Sequence, residues 1–130
     1  MGSKYSDPLP ARMALWHDRP DAWREVLPGV RRRILSGGDG VMLVLYHLAP
    51  HRTFPRHTHR HLQAGVCLEG SGELTVGESV YPIRSGSSYS IAGDVPHEFR
   101  SGPETRTVIL DVFVPEREDF AEELRPPDEA

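Results

Sequence analysis

The stretch Pro55-Arg56-His57-Thr58-His59-Arg60-His61-Leu62-Gln63 decides how this chain is read, with Gly93-Asp94-Val95-Pro96-His97 as its counterpart further on. Three of the seven histidines alternate there, in a run that reads as extended. Residues two and four apart on a strand share one face. Imidazoles converging from one strand, joined by an oxygen donor and a distant histidine, are what a divalent ion needs. His57 and His59 form such a same-face pair. A turn around Arg60-His61 that starts a new strand at Leu62 returns Gln63 to the same interior. Pro96, with its fixed φ, stiffens the approach to His97. The expected donors to one divalent metal are therefore His57, His59, Gln63 and His97. Isolated histidines are more often structural or solvated, and His17, His47 and His51 are read that way.

At 130 residues the chain makes one domain with a core of its own. Its 12 Gly and 12 Pro punctuate it roughly every 8–12 residues, the rhythm of an all-β sandwich or barrel. Residues 1–20 read as an N-terminal arm, with Pro8, Pro10 and Pro20 preventing regular structure. Residues 21–124 form the barrel domain, and 125–130 a flexible tail. Asp21–Leu27 is expected as a helical turn capped by Asp21. Strands are expected at Val30–Leu35, Val41–Leu48, Leu62–Leu68, Gly72–Val76, Ser79–Ile83, Ser87–Ile91, His97–Arg100 and Thr105–Val114. Ser36-Gly37-Gly38-Asp39-Gly40 supplies a hairpin loop, and Gly70 and Gly77 mark tight turns. Glu116–Leu124 reads as a short C-terminal helix whose apolar stripe is Phe120 and Leu124. There is no internal repeat, so the barrel is single.

With 15 Lys+Arg against 19 Asp+Glu, the net charge of −4 carries no nucleic-acid footprint. Cys67 is alone, which excludes an intrachain disulfide; between Val66 and Leu68 it reads as a buried, inert thiol. No leader and no long apolar span is evident, so a cytoplasmic protein without a membrane partner is expected. The arm carries Tyr5, Leu9, Met13, Leu15 and Trp16. Packed on a second subunit they would make a homodimer; the alternative is an arm folded back over its own barrel.

Val108-Ile109-Leu110-Asp111-Val112-Phe113-Val114 holds a polar residue where a strand should be apolar. Ile109, Asp111 and Phe113 share a face, and a carboxylate buried there without a partner is costly. Asp111 is either structural, paired with an arginine or placed at a strand end near water, or is a carboxylate near the metal that accepts a proton or orients a ligand. Phe113 would form part of the same pocket wall.

These residues resemble the two motifs of the cupin superfamily. In the first motif, a His-x-His pair is followed by an acid and a glycine; the similar positions here are His57, His59, Gln63 and Gly70. For the other motif they are Gly86, Ile91-Ala92-Gly93 and His97. The resemblance implies an all-β, single cupin barrel (a double-stranded β-helix, or RmlC-like jelly roll). Ile91 stands where the motif has proline. Gln63 stands where it has glutamate, which leaves the metal's charge uncompensated by its ligands and favours Lewis-acid polarisation of an anionic or carbonyl oxygen. His61 is the runner-up ligand, expected beside the metal group and not in it. The lead-in Pro28–Arg32 and the closing run Asp111–Phe120 are similar to small cupins of the pectin-degradation (KdgF-like) group, which tend to carry Gln at that position. The group's activity, opening the ring of 4,5-unsaturated monouronates, implies by position that Asp111, Phe113 and Arg117 line an active site.

Three functions follow from this resemblance. One is a metal-dependent enzyme of carbohydrate metabolism acting on a small carboxylate-bearing or sugar-acid-like molecule, with Arg117 or another arginine forking onto the carboxylate. Another is a different cupin enzyme, a dioxygenase or polyketide cyclase. The third is a binding module without turnover. The donor set does not choose among Mn, Fe, Co, Ni and Zn.

Overall fold

The computed structural model describes residues 13–128. Ten strands follow one another: β1 (Arg24–Leu27), β2 (Val30–Gly38), β3 (Val41–Leu48), β4 (Thr53–His57), β5 (Leu62–Glu69), β6 (Ser71–Val76), β7 (Ser79–Arg84), β8 (Ser88–Ile91), β9 (His97–Ser101) and β10 (Thr107–Val114). They form two antiparallel sheets, ordered β1-β2-β3-β10-β5-β8 and β4-β9-β6-β7. This is the jelly-roll barrel that the motifs imply. No helix of the described residues is long and apolar enough to cross a membrane.

Alternation on β3 and β10 builds the inner face of the larger sheet. Met42, Val44, Tyr46 and Leu48 are buried on β3, and Ile109, Asp111 and Phe113 on β10. Register sets Asp111 beside Val44 and Gly65, and Phe113 beside Met42 and Gln63. Each fully buried apolar side chain here contributes about 1.5–3 kcal/mol. The outer face is apolar too: Leu110 lies between Leu45 and Val66, and Val112 between Leu43 and Ala64.

The turns explain the register. Asp39 and Gly40, both at positive φ, close the β2–β3 hairpin as a two-residue turn of the kind that matches strand twist. Gly70, at φ 86°, could carry no Cβ, which would sit 2.5 Å from the Arg106 carbonyl.

Three local expectations change. Residues 21–27 do not form a capped helical turn: a 3-10 turn spans Pro20–Ala22 without a side-chain cap bond, and 24–27 is β1, paired with β2. Packing Val26 and Leu27 on the core outweighs the local helical signal. The run from His57 to His61 is not one strand. β4, where an extended run was expected, spans Thr53–His57 and stops there, and residues 58–61 are a loop. Pro55 is tolerated because β4 is an edge strand with a register shift between Phe54 and His57. The C-terminal helix is a 3-10 segment, Glu118–Glu123, that buries Phe120.

Of the arm, residues 1–12 lie outside the described residues, Tyr5 and Leu9 with them; so do 129–130 of the tail. The described part folds back on its own chain. Trp16 Nε1 donates to the Arg125 carbonyl at 2.7 Å, and Asp128 N to the Leu15 carbonyl at 2.7 Å. Arg19 pairs with Asp128, and Arg33 with Asp18.

Candidate metal centre

His57 ends β4 and faces His97, which opens β9, in register across the smaller sheet. Their ring centroids are 4.3 Å apart. His59 comes from the loop that follows, with its ring 4.9 Å from His97. That loop is pinned by Asp94 N donating to the His59 carbonyl at 2.7 Å. The approach is close enough that a Cβ on Gly93 would overlap the Arg60 carbonyl. Gln63 joins from β5.

Each imidazole is held in one tautomer. Nδ1 of His57, His59 and His97 lies 2.8, 3.1 and 2.8 Å from the carbonyls of Pro55, His61 and Val95. A carbonyl only accepts, so each Nδ1 carries the proton and each Nε2 presents a lone pair. Gln63 Oε1 then sits 3.0 Å from His59 Nε2 and 3.2 Å from His97 Nε2. Acceptors converge with no proton between them. Burial holds the His57 and His97 pKa values below the usual imidazole range; burial first, then Arg117, takes His59 down to about 4. Protonation does not relieve the repulsion near neutral pH.

A divalent cation does. Ligands about 2.1 Å from an ion stand roughly 3.0–3.4 Å apart when adjacent, the spacing Gln63 Oε1 keeps from both nitrogens. The donor atoms of the three histidines lie within 4.8 Å of one another. The residues fit a metal.

Behind Gln63 runs a buried polar chain. Gln63 Nε2 donates to Asp111 Oδ2 at 3.1 Å, which aims Oε1 at the imidazoles, and Tyr89 OH donates to Asp111 Oδ1 at 2.7 Å. Gly65 makes room for this: a Cβ there would overlap Asp111 Oδ1 and Tyr89 OH. Burial lifts the Asp111 pKa to about 7, against the lowering effects of Tyr89, Gln63 and Arg117. Asp111 therefore sits poised to hold or release a proton near neutrality.

The cavity in front of these groups measures about 630 Å³, counting the part that opens to solvent. Phe113 forms its wall, edge-on to His59 at 5.5 Å and to Phe120 at 6.0 Å. Arg117 lies over Phe120 at 4.1 Å and forks onto Asp119 through Nε (3.0 Å) and Nη2 (2.8 Å). Phe54, Leu48, Leu74 and Phe99 line the apolar side.

His57, His59, Gln63, His97, Asp111, Phe113 and Arg117 thus come together. His61, the runner-up ligand, turns away, with Nε2 3.1 Å from Glu118 Oε2. Of the two readings of Asp111, the ion pair with an arginine is not what forms: its partners are Tyr89 and Gln63. Tyr89, Arg32 and Gly65 were not foreseen. Tyr89 had one available signal, an aromatic with a polar tip at the inward position of Ser88-Tyr89-Ser90-Ile91.

Residues 44–113 match the family described as Cupin domain. The chain is 29% identical to the pectin degradation protein KdgF of Dickeya dadantii (strain 3937) over 104 residues, 79% of this chain and 94% of that protein. Among solved structures, an RmlC-like cupin from Shewanella frigidimarina NCIMB 400 superposes with a TM-score of 0.71 at 26% identity, over 75% of this chain and 86% of that one. KdgF from Halomonas sp. superposes at 0.74 and 21% identity, over 83% and 98%.

Proposed function

The chain belongs to the cupin domain family, and from that premise we propose that it is a metal-dependent enzyme isomerising a small sugar acid, with ring opening of a 4,5-unsaturated uronate as the reaction. The observation that carries this is Asp111, a buried carboxyl joined to Gln63 and lining the same cavity as His57, His97 and Arg117. The likeness to a pectin degradation protein supports the substrate class.

His57, His59, Gln63 and His97 would hold one divalent ion, of Mn, Fe, Co, Ni or Zn. When bound, it supplies Lewis-acid polarisation of a substrate oxygen. The chain's own residues do the rest. Asp111 takes the proton of the anomeric hydroxyl as the C1–ring oxygen bond breaks and C1 becomes a carbonyl. The released enolate keeps its C4=C5 bond until C4 gains a proton and C5 becomes the ketone. One proton leaves oxygen, one arrives at carbon, and no oxidant is needed. Tyr89 and Gln63 hold the carboxyl in place, Phe113 walls the ring, and Arg117 receives the substrate carboxylate.

Unsaturated galacturonate, produced fresh by a lyase and followed by NMR, tests the reading. Conversion to the linear keto form should accelerate with metal-loaded protein and stop on chelation. Unchanged spontaneous conversion would remove the proposed reaction.

The homodimer stands as part of this proposal, now through the outer face of β3, β10 and β5. Its apolar rows end in Leu62, Leu68 and Val114, which are exposed, and large apolar patches of this kind mark interfaces. Leu110→Lys should shift the protein from dimer to monomer in size-exclusion chromatography with light scattering. An unaltered mass would rule out this face.

A further inference from the structure

Among the described residues, Arg32 is the one cavity-lining guanidinium besides Arg117, and nothing in the proposed reaction uses it. It projects from β2 at the register position of Tyr46, which in turn pairs with Ile109. All three lie on the cavity side. Its environment repeats that of Arg117. The Arg32 guanidinium lies 3.7 Å from the centre of the Phe120 ring, where Arg117 stands at 4.1 Å. Arg32 forks onto Glu123 through Nε (3.0 Å) and Nη2 (2.6 Å), as Arg117 forks onto Asp119. Each fork uses one edge of a planar guanidinium and leaves the Nη1 edge for other partners.

The pattern is a preorganised one. Two guanidiniums are held at fixed positions by carboxylates on one edge and by a shared aromatic ring beneath. Both line one cavity, at which Asp111 is the lining carboxyl. We propose that Arg32 is a second anion-binding residue of this pocket, acting with Arg117 to grip the substrate's carboxylate at the Phe120 end while the sugar's hydroxyl end lies toward the imidazoles. This rests on the sugar-acid reading and deepens it: the pocket selects for ligands carrying a carboxylate, and Arg32 sets that selectivity. The 3-10 segment Glu118–Glu123, which supplies Phe120, Asp119 and Glu123, is then the scaffold that fixes both cations. Tyr46, buried next to Arg32, completes the wall on that side.

A structural role for Arg32, fastening the 3-10 segment through Glu123, makes a different prediction. The test compares metal-loaded wild type, Arg32→Gln, Arg32→Lys and Glu123→Gln by calorimetric titration with D-galacturonate and with its neutral methyl ester. Near-ultraviolet circular dichroism checks that each variant is folded. Wild type should prefer the acid. Arg32→Gln should reduce that preference by about tenfold or more, the scale of one charged hydrogen bond, with ester affinity unchanged. Arg32→Lys should retain part of it. Glu123→Gln removes the fork but keeps the guanidinium, and should retain most. Equal losses in Arg32→Gln and Glu123→Gln, or an undiminished preference in Arg32→Gln, would overturn the inference. A wild type that favours neither ligand would overturn it too, whereas failure of ring opening alone would strike the reaction and leave the acid preference standing.

Discussion

Asp111→Asn is expected to slow ring opening by a factor on the order of 10²–10⁴, the range for loss of a positioned acid–base group, while metal content stays that of wild type. Asparagine keeps the volume and one acceptor, so Gln63 and Tyr89 lose at most one bond between them. What disappears is the proton carrier. The same variant has a stability signature. The folded pKa of Asp111, about 7, lies above the ordinary 3.8, so folding favours the protonated form. Its ionised form burdens the fold: the cost is absent below about pH 4 and fully present above about pH 7. Metal-free Asp111→Asn should therefore gain thermal stability relative to metal-free wild type as pH rises through that window. Turnover and melting curves across roughly pH 4–8 check both. Activity like wild type would remove Asp111 from the reaction.

His97→Ala carries the other large effect. His97 is 3% exposed; its ring centroid is 4.3 Å from that of His57 and its Nε2 is 3.2 Å from Gln63 Oε1. Removing it leaves two imidazoles from one side of the pocket and an amide oxygen with a single nitrogen neighbour. Loss of a supporting partner around a metal typically costs about 10–100-fold in affinity or activity; loss of a ligand should exceed that and bring turnover to background. His61→Ala is the matched control. His61 bonds Glu118 outside the cluster, so its loss should leave metal and activity near wild type. Equal damage from both variants would place the ion elsewhere.

Which parts of this were legible in the sequence follows from the distance over which each is determined. The barrel strands were, because Val41–Leu48 and Thr107–Val114 alternate cleanly and turn residues bound them. Asp111 was, because one carboxylate in an apolar strand breaks the alternation. His57, Gln63 and His97 were, through their spacing and the motif likeness. His59 reached the site by a route unlike the one expected: a loop off the end of β4, held by Asp94, and not a strand face. β1 was hidden because four residues with two charges have no periodicity to read, and only pairing with β2 makes them extended. Tyr89 and Arg32 were hidden for a different reason. Tyr89 meets Asp111 only because β5 brings β8 and β10 to its two edges, with Gly65 between them. Arg32 enters the cavity only because Phe120 and Glu123, far along the chain, receive it. Chemistry made by register has no local trace.

A metal centre held by His57, His59, Gln63 and His97 is tested by metal analysis of the purified protein by mass spectrometry. Wild-type protein should carry about one divalent ion per chain, removed by a chelator, restored on adding metal back, and missing from His57→Ala. A wild-type chain free of metal that takes up none when offered, with His57→Ala indistinguishable from it, would mean that these four residues build no metal centre.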